Sequence, residues 1–321
     1  MKVLVTGGAG YIGSMLTPML LEQGHSVRIL DSLMHGGRSM LGFWSHPEFG
    51  FVRGDVRDAD VVETAIHGVD AIVHLAAIVG DPACARDPEL ARQVNQEASL
   101  ALIQRAEAAG VQRFIFASTC SNYGRMSDPL SLVDETSELQ PVSLYAETKV
   151  AIERYLLDLG ASDLVPTVLR FATVFGVSPR MRFDLTVNEF TLDMLVKQEL
   201  TVFGEQFWRP YVHVRDVARA VSMALGASAD TVRNEVFNVG ATSENYQKQG
   251  LVELIQPYAP DAVVEYVHKT EDPRDYKVSF DKVERELGFE ITKTVADGVR
   301  EVAALVEEGF FRDSSEPGVR N

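Results

Sequence analysis

Apolar residues recur along the first two-thirds of the chain in two alternating rhythms. Short runs rich in β-branched residues have the length and continuity of strands buried on both faces: "KVLVTG" (2–7), "SVRILD" (26–31), "AIVHLA" (71–76), "RFIFAST" (113–119) and "PTVLRFA" (166–172). Between them stand amphipathic stretches with helical spacing, such as "IGSMLTPMLLEQG" (12–24) and "NQEASLALIQRAEAAG" (95–110). This alternation predicts an α/β fold with a doubly wound parallel sheet. "FNVG" (237–240) reads as one more sheet strand, whereas 174–206 and 241–289 break the rhythm. The expected organisation is a large lobe of 1–173 and 207–240, with a smaller lobe assembled from 174–206 and 241–321.

Composition narrows the function classes. Of 321 residues, 46% are apolar and 24% charged, the balance of an ordinary water-soluble globular chain. A net charge of −16 argues against general binding to nucleic acid or anionic membrane. An anionic small substrate then needs a local gathering of Arg or Lys. Two cysteines, Cys84 and Cys120, cannot build a disulfide framework or a thiolate metal site. The expectation is therefore a reducing, cytoplasmic setting and no metal. "MKVLVTGG" reads as a first strand rather than a signal peptide, and no run of about 18 apolar residues predicts a membrane-spanning helix.

The first turn carries candidate chemistry. In "VLVTGGAGYIG" (3–13), Gly7, Gly10 and Gly13 are spaced by three, and Gly8, Gly10 and Gly13 satisfy G-x-G-x-x-G. Glycines alone say little. Here they follow a strand and open a helix, whose N-terminal N–H groups can hold a pyrophosphate in Rossmann-type fashion. Asp31 ends the second strand, where a carboxylate can bind both ribose hydroxyls and repel a 2′-phosphate, favouring NAD over NADP. "GDVRD" (54–58) then brings Asp55 and Val56 near the adenine.

A second constellation lies in "LYAETK" (144–149), where Tyr145 precedes Lys149 by four residues on a helical pattern. That spacing stacks both side chains on one face, and an ammonium beside a phenol favours the phenolate. Tyr145 can then accept a proton from a sugar hydroxyl while hydride leaves for NAD.

With these residues in place, the chain resembles the extended short-chain dehydrogenase/reductase family, in its NAD-dependent epimerase/dehydratase branch acting on nucleotide sugars. "TGGAGYIGS", "HLAA" (74–77), "ST…YG" (118–124), "YAETK" and "RPYVHVRDVARA" (209–220) occur in that family's order and spacing. The resemblance implies a Thr119–Tyr145–Lys149 catalytic site, with Ser118 by the nicotinamide. It implies cofactor contacts from Tyr11, Ile12, Ser32, Leu75, Ala76, Ala77, Asn95 and Phe171. For the nucleotide diphosphate it implies Arg209, Asn188, and Lys269 or Arg274, with Thr201 and Phe203 flanking the base. A homodimer is expected through the helices near residues 95–110 and 145–159.

Departures from the family are equally informative. Thr173 stands where the family often has Asn near the substrate phosphates. Val79 stands where many 4-epimerases carry lysine, in a loop whose Asp81 should approach the sugar. Cys120 and Ser121 fall where sugar 4,6-dehydratases place Asp and Glu. Cys120 either tunes the sugar pocket, acts as a thiolate base, or fills space as a neutral thiol; an unperturbed pKa of about 8.5 favours the last. Without the two carboxylates the expected activity is 4-epimerisation through a 4-keto sugar. A 4-ketoreductase is the close alternative, and a 4,6-dehydratase a more distant one. A non-catalytic NAD(H)-binding regulator on the same fold is the alternative from another class.

Overall fold

The computed structural model describes residues 1–125, 131–160, 162–270, 274–311 and 319–321. Its strands are β1 (Lys2–Thr6), β2 (Ser26–Asp31), β3 (Phe49–Arg53), β4 (Ala71–His74), β5 (Arg113–Thr119) and β6 (Val165–Phe171), then β7 (Thr173–Phe175), β8 (Glu199–Phe203), β9 (Trp208–His213), β10 (Glu235–Val239), β11 (Asn245–Gln247) and β12 (Val263–Val267). Seven of them form the sheet β10-β6-β5-β4-β1-β2-β3, and every pairing within it is parallel. The chain builds outward from β1 to β3, then returns to place β4 on the other side of β1. That reversal opens a crevice beyond the carboxyl ends of the strands, where such sheets bind ligands.

Alternation along each strand explains the two covered faces. Val3, Val5 and Ile115 join Leu16 and Leu20 of the helix Gly13–Glu22 and Val217 and Val221 of the helix Val214–Gly226. Leu4, Phe114 and Phe116 join Val62, Leu102, Ile103, Ile152 and Leu156, from helices on the other face. Phe114 and Phe116 are wholly buried, so truncating either to Ala should cost about 3–5 kcal/mol.

The run at 71–76 ends as a strand two residues early. The imidazole of His74 is buried and bonded on both sides, through Nδ1 to Thr6 Oγ1 at 2.7 Å and through Nε2 to Ser99 Oγ at 2.9 Å. Burial lowers its pKa to about 3, so the ring is a neutral tie. Leu75 and Ala76 leave the sheet beyond it.

Two smaller sheets, β11-β9-β7 and β12-β8, carry the remaining strands. Residues 208–213, expected with the large lobe, pair with β7 and β11 instead. The helix Val295–Glu307 packs Val295 and Val299 into a core shared with Phe175 and Tyr211. Among the described residues no helix is long and apolar enough to cross a membrane, and no group of three or more His, Cys, Asp or Glu could hold a metal ion.

Candidate active site

A cavity of about 760 Å³ occupies the crevice, and a second of about 620 Å³ adjoins it. Thr173, Thr186, Glu189, Arg209 and Arg274 line both.

The larger cavity begins at the glycine turn. Gly7 has φ +70°, and a Cβ there would fall 2.8 Å from the backbone nitrogen of Ala76. A Cβ on Gly13 would lie 2.5 Å from Gly8 Cα. The turn therefore packs backbone on backbone; the N–H groups of Gly7, Ala9 and Gly10 are bonded within the protein, and Tyr11, Ile12 and Gly13 at the start of the helix line the cavity, where their N–H groups can meet a pyrophosphate. Asp31 anchors the neighbouring corner, accepting from Ala9 N at 3.0 Å and Leu33 N at 2.8 Å. Burial raises its carboxyl pKa, while these two bonds hold it down. Each oxygen keeps a lone pair for a ribose hydroxyl. Gly10, Tyr11, Ile12, Ser32, Asp55, Val56, Leu75, Ala76, Ala77, Ser118 and Phe171 line the same cavity. These residues fit a dinucleotide.

Thr119, Tyr145 and Lys149 line it as well, at the end of β5 and on the helix Leu144–Leu157. Ser143 caps that helix, accepting from Ala146 N, which fixes the pitch on which Tyr145 and Lys149 align. Thr119 Oγ1 lies 2.8 Å from Ser121 Oγ. Lys149 Nζ donates to the carbonyl of Ala117 at 2.8 Å and sits 5.9 Å from the Tyr145 ring centre. Burial lowers the ammonium to about 8. Burial also raises the Tyr145 phenol, and among its charged neighbours Arg182 pulls it back down.

Behind β5 lies a sealed polar network. Glu153 and Arg170 form an ion pair at 2.7 Å, 1% and 4% exposed. Ser118 donates to Glu153, Arg170 reaches the Tyr123 hydroxyl at 3.0 Å, and Tyr123 donates to Asn238 Oδ1 at 2.7 Å. Cys120 belongs here. Its thiol is buried, 3.2 Å from the carbonyl of Arg170, and burial pushes its pKa well up. The 3-10 turn Cys120–Tyr123 rotates this side chain inward and leaves Ser121 on the cavity. Cys120 is therefore packed as a buried thiol behind the cavity and does not line it.

Three further expectations are corrected by geometry. Asn95 lies behind the wall, its amide exchanging hydrogen bonds with both backbone groups of Ile78 at 2.7 and 2.9 Å. A π-helical turn at Gln93–Glu97 aims it there, so it shapes the loop and does not touch the cofactor space. Asn188 is fully buried and bonds Tyr11, Gly176 and Arg182. Lys269 is absent from both cavity walls and stands 5.5 Å over the Phe203 ring. Thr201 and Phe203 line the smaller cavity. Asp81 lines the larger, held by Ser143 at 2.7 Å and Arg274 at 2.8 Å.

The sequence reading missed Arg180, Arg182 and Glu189, which line the larger cavity. For the two arginines the signal was "SPRMRFD" (178–184), two like charges close together in an acidic chain shortly after a strand.

Comparison with known proteins accords with this geometry. The profile of the NAD dependent epimerase/dehydratase family matches residues 3–240. A UDP-glucose 4-epimerase of Corynebacterium glutamicum is 28% identical over 309 residues, 90% of each chain. A dTDP-glucose 4,6-dehydratase of Streptomyces niveus is 30% identical over 98% of this chain and 94% of that protein. Among solved structures, the UDP-glucose 4-epimerase of Thermotoga maritima with UDP-glucose superposes with a TM-score of 0.86 at 28% identity, covering 97% of this chain and all (100%) of that one. The glycine cradle, the Tyr–Lys helix and the joined cavities are thus found in a chain that belongs to the NAD-dependent epimerase/dehydratase family.

Proposed function

We propose that the protein is a nucleotide-sugar 4-epimerase that holds its NAD throughout the cycle. The observation that carries this reading is the pairing of Thr119, Tyr145 and Lys149 on one cavity wall with the lack of a carboxylate at positions 120 and 121. Bound NAD, held by the glycine turn and Asp31, would supply the acceptor for a hydride leaving C4 and its return. Thr119 would hold the 4-hydroxyl, and Tyr145 would take its proton as C4 becomes a ketone, with Lys149 and Arg182 favouring the phenolate. After the keto sugar turns, Tyr145 returns the proton and the opposite C4 configuration results. The smaller cavity would hold the nucleotide, with Arg209 and Arg274 at the diphosphate and Thr201 and Phe203 at the base. Elimination of water would need a further acid and base. Cys120 is sealed away, and Asp81 is already tied to Ser143 and Arg274.

Leu100, Ala101, Ala151 and Tyr155 are only partly buried on two neighbouring helices, which supports a homodimer formed by pairing this face with its copy. The acidic surface and two buried free cysteines support a cytoplasmic role in making activated sugars.

Incubation with NAD and a panel of UDP-, dTDP-, GDP- and CDP-hexoses, UDP-glucose first, tests the reaction. An isomer of unchanged mass is expected. A product lighter by one water would make it a dehydratase. Reduction of a keto sugar only when NADH is supplied would make it a ketoreductase.

A further inference from the structure

Arg180 does not fit a structural role. It is 6% exposed, yet no ion pair engages it among the described residues. Its Nη2 donates to the carbonyl of Arg320 at 3.1 Å, and its Nε is buried with no hydrogen-bond partner. The nearby Arg182 is already neutralised by Asp184 at 2.5 Å. Burial and the like charge of Arg182 pull the Arg180 guanidinium down to about 10 despite the opposing charges of Asp184 and Asp31, which act on it from beyond ion-pair distance, whereas the equally buried Arg170 is raised by Glu153. A buried cation in this state needs an anion.

Its mooring says which anion. Ser178 Oγ donates to the carbonyl of Tyr11 at 2.7 Å and lies 3.0 Å from Ser14 Oγ, while the Tyr11 hydroxyl donates to the carbonyl of Gly176 at 2.5 Å. These bonds fasten the segment 176–178 to the first turn of the helix Gly13–Glu22. Arg180, two residues on, lines the cavity together with Gly10, Ile12 and Gly13, and the Asp31 carboxylate acts on it. Arg182 acts on Tyr145, towards the nicotinamide end. The part of a dinucleotide between its two riboses is the pyrophosphate.

We propose that Arg180 binds the cofactor's pyrophosphate, supplying from the second lobe the charge that the glycine turn offers only as backbone dipoles. The guanidinium fork matches two phosphate oxygens, so Nε and one Nη would both be satisfied. Such a clamp suits an enzyme whose reduced cofactor must stay until its hydride is returned. That rationale rests on the proposed epimerisation; the binding itself rests only on the cofactor.

The test uses the full chain, stripped of cofactor. In Arg180→Gln, NAD and ADP should bind roughly ten- to a hundredfold more weakly, the scale of a charged hydrogen bond, and adenosine as before. The purified variant should carry less dinucleotide. Its cofactor-free form should melt no lower than the parent, since a repelled buried charge is gone. Arg180→Lys, which keeps a point charge without the fork, should fall between parent and Gln variant. Unchanged NAD and ADP affinity would overturn the proposal. So would equal weakening of adenosine, a cofactor-free melting point that drops as far as the loaded one, or a Lys variant as weak as the Gln variant. None of these readouts depends on which sugar reaction occurs.

Discussion

Arg170 and Arg180 are both buried, the first within the sealed network beside β5 and β6 and the second on the cavity wall. Arg170 has every reason to be there: Glu153 grips it with both carboxylate oxygens, and the Tyr123 hydroxyl accepts from its Nη1. Arg180 has a single carbonyl and an orphaned Nε. The same contrast separates Tyr123, bonded into the sealed network, from Tyr145 on the cavity wall. Groups satisfied by the protein hold the fold. Groups left for something else mark the site, because a buried polar group without a partner is costly to keep.

Substitutions on the two sides should fail in different ways. Tyr145→Phe removes only the proton acceptor, so turnover should fall by about 10²–10⁴-fold while NAD content and melting temperature hold. A variant with parental turnover would remove Tyr145 from the chemistry. Glu153→Gln leaves Arg170 charged and uncompensated, and urea titration should show a loss of about 3–5 kcal/mol. Its turnover per folded, NAD-loaded molecule should suffer far less than that of Tyr145→Phe; the reverse pattern would erase the distinction between the two sides.

Lys149 gives a pH signature. Burial sets its ammonium near 8, against an ordinary 10.5. Between those values the unfolded chain binds a proton there that the folded, cofactor-free chain does not. Its stability should therefore rise with pH across that window, and Lys149→Met should flatten the rise. Turnover should move the other way, declining above about 8 as the cation beside Tyr145 is lost. The smallest effect is expected at Cys120→Ala: about 1 kcal/mol of stability and no change in turnover. A marked loss of rate there would show that the thiol reaches the sugar after all.

What could be read from the sequence follows from how each feature is encoded. The strands, the glycine turn, Asp31 and the Tyr145–Lys149 pair are written in backbone periods and short spacings, which survive any tertiary detail. The helix face at 186–193 is not. Thr186, Glu189, Phe190 and Asp193 follow the i, i+3, i+4, i+7 stripe that lines the smaller cavity. Asn188 lies off that stripe, on the buried side, a phase that a seven-residue helix in an irregular region does not reveal beforehand. Cys120 was legible as an oddity and illegible in direction, because one 3-10 turn decides which way it points. Arg180 and Arg182 could be counted but not aimed; their orientation depends on the bonds of Ser178 to a helix more than 160 residues earlier.

The seam between the two cavities has a kinetic consequence. Five residues belong to both, so on the proposed reaction a substrate seated by its nucleotide in the smaller space would be leashed across that seam with its sugar in the larger. A ketone released from Tyr145 during its turn would then stay in the same cavity as the reduced cofactor. Its return becomes a unimolecular event at high effective molarity, and escape must wait for the nucleotide to let go. Lengthening or weakening the leash, for example at Arg209, should then show itself first as stranded NADH rather than as slower oxidation.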